Sequence, residues 1–189
     1  MSSYQKFKRG WFWLVPAAFL ALALLLWSRL GVDPQVILSE VLGKPLPRMS
    51  LPDLNSDLPV TNERLPTKPF LLNAWATWCP SCKQEHAFLT ELNSQGVLIV
   101  GLDFRDDATA AREYLLQAGD PYDLVHPVDQ EGLYATELGL TGTPETYLVG
   151  GDGVVYMHHV GILTPEVWQQ NGFAACYQGL LESSSEGCA

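Results

Sequence analysis

Blocks of apolar and polar residues follow one another in a regular order from residue 70 onward. Phe70–Trp75 is a mostly apolar run that predicts a strand, and Val97–Phe104 predicts a second strand. Between them, Cys79–Gln95 predicts a helix that ends at Gly96. The later pattern predicts a helix over Thr109–Gln117, a short strand over Leu124–Val128, a helical turn over Leu133–Leu138, a hairpin around Gly151–Gly153 and a closing helix over Pro165–Leu181. This order predicts an α/β fold in which helices cover both faces of a mixed sheet.

The segment before this pattern is rich in proline. Six prolines exclude a long helix there and favour short edge strands and turns: Pro45, Pro47, Pro52, Pro59, Pro66 and Pro69. Upstream, Asp33 before Pro34 predicts the start of a short helix, which Gly43 ends. A length of 189 residues suffices for one domain of ordinary size plus an appendage.

That appendage is the N-terminal apolar segment Trp11–Trp27. Its 17 uncharged residues would span about 25 Å as a helix, close to the roughly 30 Å of a bilayer core, so we expect a single membrane anchor. A cleaved signal peptide has a similar pattern, but Arg29–Val32 fits a small-x-small cleavage site poorly. Three cations before the run and one after it predict a cytoplasmic N-terminus. We therefore expect a stub and anchor over residues 1–32, a folded domain over 33–182 and a flexible tail over 183–189.

Charge separates the folded domain from the N-terminal segment. The chain from Gly31 onward holds all 21 acidic residues and seven of the eleven basic ones, a net charge of −14. Such a surface repels phosphate backbones and anionic headgroups, which argues against nucleic acid as a partner. It could attract cationic protein segments, although most acidic surfaces are simply solvated.

The stretch WATWCPSCKQEH, residues 75–86, holds the strongest chemical signal. Cys79 stands where the helix should begin, so unpaired N–H groups and the helix dipole favour its thiolate. Cys82 lies one turn further on the same helix face, close enough for a disulfide, and Pro80 stiffens the first turn. We expect Cys79 to be the attacking and more exposed sulfur and Cys82 to resolve the mixed disulfide.

The alternative to a redox role for the cysteine pair is a metal-binding role. A copper-delivery module could combine the two cysteines with His86, His158 or His159. The sequence holds no second Cys-x-x-Cys, and a lone pair at a strand-to-helix junction is typical of redox chemistry. A purely structural disulfide across so short a loop would gain little stability.

A second motif, GLTGTPETYLV, residues 139–149, places Thr143 and Pro144 just before an apolar strand. A proline there suggests a tight turn with a possible cis peptide bond. It would present the Thr143 backbone for pairing with an extended substrate. Trp78, beside Cys79, is expected to border the same docking surface as Pro80.

Together these motifs resemble the thioredoxin superfamily and, within it, the membrane-anchored cytochrome c maturation branch, the DsbE/CcmG family. The resemblance covers most of residues 43–179 and includes GKPLPRMSLPDL, LLNAWATWCPSCKQEH, GLDFRDD and GLTGTPET. Glu145 directly after the proline is typical of that branch. The resemblance implies the thioredoxin fold, a cis-Pro144 and a redox-active Cys79–Cys82 disulfide, with no other cofactor and no metal.

The resemblance also implies a function and partners. The chain would be a thiol:disulfide oxidoreductase of the inner membrane with its catalytic domain in the periplasm. It would reduce the disulfide in the haem-binding Cys-x-x-Cys-His site of apocytochrome c, and a transmembrane DsbD-like reductase would supply electrons. A broader periplasmic thiol reductase or oxidase is the nearest alternative, because the same cysteine pair can run either way according to its potential.

Asn73 marks a departure from thioredoxin, which has a buried aspartate six residues before the first cysteine. Because Asn73 cannot take a proton, the task of accepting one from Cys82 would pass to Glu85 or Glu145. We expect Glu145 to be the better acceptor and regard a solvated Glu85 as an open alternative.

Cys176 and Cys188 have no counterpart in either motif. A peripheral disulfide and two idle thiols both remain possible for them.

Overall fold

The computed structural model describes residues 14–25, 41–185 and 187–188. The chain divides into two units, Met1–Ile37 and Leu38–Ala189. In the first unit, residues 14–25 are helical (α1). Within the described parts of the chain, no helix combines the length and apolar character needed to cross a membrane. The two ends of the predicted anchor, its flanking cations and the helix start predicted at Asp33 lie outside the described residues.

The second unit is built on a five-stranded mixed sheet. Its strands are β3 (Phe70–Trp75), β4 (Ile99–Phe104), β5 (Val128–Asp129), β6 (Glu145–Val149) and β7 (Val155–Val160). The spatial order is β5-β4-β3-β6-β7, with β3, β4 and β5 parallel and with β6 antiparallel to both of its neighbours. The Pro-rich segment contributes the predicted short strands, β1 (Ser50–Leu51) and β2 (Val60–Thr61), which pair with each other.

Among the described residues of this unit, five α-helices accompany the sheet: α2 (Pro80–Ser94), α3 (Ala108–Ala118), α4 (Leu133–Glu137), α5 (Pro165–Gln170) and α6 (Phe173–Leu181). The prediction of one closing helix from Pro165 to Leu181 was wrong. Gly172 adopts φ = 82°, a left-handed conformation that ends α5 and opens α6.

The predicted strand over Leu124–Val128 was also too long, because β5 begins only at Val128. Leu124 has φ = 61°, which no strand residue adopts. The preceding Asp123 fixes this turn, since its carboxylate accepts from Ile99 N at 2.9 Å and from the Asn93 amide at 2.7 Å.

Alternate residues of each strand point to opposite sides, and the two sides carry different covers. We call the side of Leu71, Asn73 and Trp75 the α2 face, because buried residues of α2, α3, α5 and α6 share a core with it. We call the side of Phe70, Leu72 and Ala74 the α4 face, because α4 and the Pro-rich segment pack there. Both faces are therefore buried, as predicted for a sheet with helices on two sides.

Candidate active site

Cys79 and Cys82 lie at the junction of β3 and α2, as the sequence predicts. Cys79 is the N-cap of α2, and its Sγ accepts a hydrogen bond from the Cys82 backbone N–H at 3.0 Å. The two residues form a disulfide with a Cα–Cα distance of 5.3 Å. Pro80 is the first helical residue, where its missing N–H leaves no hydrogen bond unmade.

The expectation that Cys79 is the more exposed of the pair was wrong for the oxidised state. Cys79 is 2% exposed and Cys82 is 6% exposed. Cys79 is covered because its sulfur is turned into the first turn of α2, where it caps the helix. The neighbouring exposed surface comes from Trp78, which is 54% exposed and whose indole N–H donates to Arg105 O at 3.1 Å.

The carboxyl end of β4 supports the loop that leads to Cys79. Asp106 accepts hydrogen bonds from both the backbone N–H and the hydroxyl of Thr77. Asp103, in register with Trp75, is fully buried, and burial together with the charges of Asp106 and Asp107 raises its pKa to about 7. The sequence reasoning missed both residues. Their position after an apolar strand parallel to β3 was the available signal, since the ends of parallel strands meet at one sheet edge.

Pro144 follows a cis peptide bond, as the resemblance implied. The backbone of Thr143 makes no hydrogen bond with any other residue in the described ranges. The Pro144 carbonyl accepts from Gly161 N at 2.9 Å, which ties this loop to the turn after β7. Thr143 therefore offers a free backbone edge of the kind that an extended peptide can pair with.

Glu85 lies in α2, one turn after Cys82, and its side chain enters the core on the α2 face. It is 1% exposed, so the solvated alternative was wrong. Its carboxylate accepts from the Asn73 amide and from Leu163 N, each at 2.8 Å. Burial raises the pKa of Glu85 to about 7, because these two donors offset only part of the desolvation.

Asn73 completes the contacts around Glu85. Its amide also donates to the Thr146 hydroxyl at 3.1 Å, and its carbonyl oxygen accepts from the Tyr122 hydroxyl at 3.2 Å. Both the amide N–H donors and the carbonyl oxygen of Asn73 are therefore hydrogen-bonded, at the position where thioredoxin has an acid. Asn73 can orient Glu85 through its hydrogen bond to the carboxylate, but its amide cannot accept a proton, whereas the Glu85 carboxylate can.

Glu145 is equally buried but lies on the α4 face, in register with Ala74. Its Oε1 accepts from Thr141 N at 2.9 Å, from the Thr141 hydroxyl and from Gly142 N at 3.1 Å. Its Oε2 accepts from Tyr147 at 2.8 Å and from His158 at 2.9 Å. Burial alone would raise the pKa of Glu145, but these donors outweigh it and lower the pKa. The properties of a proton acceptor near neutral pH therefore belong to Glu85, whereas Glu145 is held as an anion.

Comparisons with known proteins agree with this geometry. The redoxin family model matches residues 42–173. The thiol:disulfide interchange protein DsbE of Pseudomonas fluorescens biotype C is 38% identical over 177 residues, which cover 93% of this chain and 98% of the relative. Its Escherichia coli K12 counterpart is 40% identical over 159 residues, covering 80% and 85%. This chain belongs to the DsbE family.

Solved structures with lower identity share the fold. A DsbE structure from Chlorobium tepidum aligns with a TM-score of 0.58 at 22% identity, covering 74% of this chain and 96% of that one. A secreted disulfide oxidoreductase from Mycobacterium tuberculosis aligns with a TM-score of 0.55 at 20% identity, covering 70% and 96%. As a DsbE family member, the chain is a thiol:disulfide oxidoreductase, and its redox group is the Cys79–Cys82 disulfide.

The histidines that the copper alternative would recruit are engaged elsewhere in this DsbE protein. The Nε2 atoms of His86, His158 and His159 bond to Gly119 O, the Glu145 carboxylate and Ile162 O, respectively. In the described part of the chain, no three His, Cys, Asp or Glu side chains come together as a metal site.

The open question about the other two cysteines is answered by a second disulfide. Cys176 of α6 bonds to Cys188 in the tail with a Cα–Cα distance of 4.6 Å. Cys176 is fully buried in the core on the α2 face. The bond therefore attaches a tail of disorder-prone composition to the last helix.

Proposed function

We propose that this DsbE family member reduces the disulfide in the haem-binding Cys-x-x-Cys-His site of apocytochrome c. In this proposal, the N-terminal segment anchors the chain in the inner membrane and the folded domain works in the periplasm. Membership of the DsbE family supports the proposal. The observation that carries it is the placement of the redox disulfide at the start of α2 together with a cis-Pro144 loop whose Thr143 backbone is free.

The exchange begins from the reduced pair. The Cys79 thiolate attacks one sulfur of the substrate disulfide, which forms a mixed disulfide and releases the other substrate sulfur as a thiolate. The N-terminus of α2 favours the thiolate of Cys79, because unpaired backbone N–H groups converge there. The substrate chain pairs with the Thr143 backbone during this step.

The second step releases the product. Cys82 loses its proton to Glu85, and its sulfur attacks Sγ of Cys79, so that the Cys79–Cys82 disulfide forms and the second substrate thiolate leaves. The substrate gains two electrons and the protein loses two. A DsbD-like membrane reductase would return them. Glu85 suits the proton transfer because its pKa of about 7 lets it exist in both forms near neutral pH.

Two measurements test the proposal. Equilibration of the full-length chain with a dithiothreitol redox series gives the potential, which we expect to lie near that of thioredoxin, about −270 mV. A potential near the roughly −120 mV of DsbA would contradict a reductase. Trapping with Cys82→Ala in the periplasm should yield mixed disulfides with c-type apocytochromes, and their absence would contradict the specific substrate.

A further inference from the structure

Two consecutive histidines in β7 lie on opposite faces of the sheet, and each is linked to one of the two buried carboxylates, His158 directly and His159 through a peptide group. His158 is in register with Tyr147 on the α4 face, and His159 is in register with Thr146 on the α2 face. Neither histidine belongs to the redox motif or to the cis-Pro motif.

His158 reaches the loop before Pro144 through Glu145. A carboxylate only accepts hydrogen bonds, so the 2.9 Å contact places a proton on His158 Nε2. The His158 ring stacks on Tyr147 at 4.2 Å with an interplanar angle of 4°, and the Tyr147 hydroxyl donates to the same Glu145 oxygen. The other Glu145 oxygen accepts from Thr141 and Gly142. One oxygen is thus fixed by the sheet while the other fixes the loop that precedes Thr143.

His159 reaches Glu85 through a single peptide group. Its Nε2 donates to Ile162 O at 3.1 Å, and the N–H of the same peptide, Leu163 N, donates to the Glu85 carboxylate at 2.8 Å. A hydrogen bond to a peptide oxygen polarises the peptide and strengthens the bond that its N–H makes. Burial lowers the pKa of His159, which favours the neutral ring with its proton on Nε2.

The turn that carries this peptide also touches the docking loop. Gly161 N donates to Pro144 O at 2.9 Å, so residues 161–163 contact both the cis-Pro loop and Glu85. The ionisable group that interacts with Glu85 from the loop before β5 is Tyr122, and Asp120, Tyr114 and Asp103 act on the same tyrosine. The pKa of Tyr122 is raised well above its ordinary value, first by burial and then by Glu85 itself, so Tyr122 stays neutral.

We propose that His158 and His159 are separate positioning residues of the redox site. His158 holds the substrate-docking loop in place through Glu145, and His159 sets the proton affinity of Glu85 through the Ile162–Leu163 peptide. The part concerning His158 rests on the proposed docking of substrate at Thr143. The part concerning His159 requires only disulfide exchange.

The test compares donor-deleting and donor-keeping variants of the full-length chain in detergent. His158→Phe and His159→Phe keep an aromatic ring but lose the N–H donor, whereas His158→Gln and His159→Gln keep a donor. The substrates are an oxidised Cys-x-x-Cys-His peptide and bis(2-hydroxyethyl) disulfide, a linear disulfide that has no peptide backbone to pair with Thr143. The chain is reduced beforehand, and single turnovers at rising substrate concentration from pH 5 to 9 give the limiting rate (kcat) and the half-saturating concentration (KM). The Glu85 carboxyl is titrated by ¹³C NMR.

His158→Phe should raise KM for the peptide about tenfold, the loss expected for one charged hydrogen bond, and should lower kcat much less. Its effect with bis(2-hydroxyethyl) disulfide should be smaller. His159→Phe should leave KM for the peptide near the wild-type value. It should shift the Glu85 titration and the acidic limb of the pH profile to higher pH, because a weaker Leu163 hydrogen bond favours the protonated carboxyl. Both Gln variants should restore the wild-type values.

The same change in both Phe variants, or no change in either, would overturn the proposal. If His158→Phe does not fold, Tyr147→Phe removes the other donor to the same Glu145 oxygen and should raise KM alone; if His159→Phe does not fold, His159→Leu serves in its place. A wild-type protein that shows no preference for the peptide over bis(2-hydroxyethyl) disulfide would contradict the proposed function. In that case the NMR titration of the His159 variants still decides the second part.

Discussion

Glu85 lies on the α2 face of the sheet and Glu145 on the α4 face, and solvent reaches neither carboxylate to any useful extent. Glu85 accepts from two donors, an amide and one backbone N–H, whereas Glu145 accepts from five. Burial raises the pKa of the first to about 7, and the donors lower the pKa of the second. The five donors to Glu145 outweigh its burial, whereas the two donors to Glu85 do not, so Glu85 is the carboxylate that can take up a proton near neutral pH.

The largest effect should follow removal of the anion on the α4 face. Glu145→Ala leaves His158, Tyr147 and two loop N–H groups without their acceptor, and we expect a loss of about 3 to 5 kcal/mol in the free energy of unfolding. Urea denaturation of the full-length chain measures it. Glu145→Gln keeps an acceptor oxygen and should lose less. Equal losses of unfolding free energy in the two variants would show that the hydrogen-bond donors around Glu145 do not stabilise its carboxylate.

The next effect concerns catalysis on the α2 face. Glu85→Gln keeps an acceptor for Asn73 and Leu163 but cannot take the proton of Cys82. We expect the resolving step to slow about 100-fold, the lower end of general base contributions. Stopped-flow kinetics of mixed-disulfide decay check this. Glu145→Gln is the matched control and should slow the step less, so a larger loss in the control would restore Glu145 as the acceptor.

The pH dependence of stability should have opposite signs for the two groups. The folded-state pKa of Glu85 is raised, so its contribution to stability is present below about pH 4.5 and is lost as pH rises through about 7. The pKa of Glu145 is lowered, so its contribution is lost only as pH falls below the ordinary range. The free energy of unfolding of the wild type minus that of Glu85→Gln should therefore change by on the order of 2 kcal/mol between pH 5 and 7. Asp103, whose pKa is also raised, is present in both proteins, so its contribution cancels in this difference. A difference that does not change with pH would contradict the raised pKa of Glu85.

The smallest effect should come from Tyr122, which donates a hydrogen bond to Asn73. Tyr122→Phe removes one hydrogen bond to the Asn73 carbonyl oxygen and should cost about 1 kcal/mol of unfolding free energy. The Glu85 titration should barely move, because Asn73 still donates to Glu85. A large shift in that titration would show that Tyr122, and not only the two direct donors, sets the environment of Glu85.

Much of this arrangement could be predicted from the sequence. The apolar runs located β3 and β4, and the cysteine spacing placed a disulfide at the start of α2, because both depend on local residue patterns. The burial of Glu85 could not be predicted in the same way. It depends on Leu163, which is distant in sequence and donates to the carboxylate from the turn after β7.

Strand register and a single backbone conformation explain two further differences from the sequence prediction. A single-residue shift between β3 and β6 would exchange the faces, so the opposite placement of Glu145 and Glu85 follows from strand pairing that no local pattern reveals. Gly172 reads as an ordinary residue in a helical pattern until its left-handed conformation separates α5 from α6.

The Cys176–Cys188 disulfide gives the proposed catalytic cycle an asymmetry. In its working state the protein would carry two free thiols at Cys79 and Cys82 and, at the same time, one intact disulfide of its own. A reductase of this kind has to be spared by its own electron donor at one cysteine pair while it accepts electrons at the other. Position in the fold distinguishes the two pairs, because Cys79 caps α2 beside the exposed Trp78, whereas Cys176 lies fully buried in α6 and pairs with the half-buried Cys188.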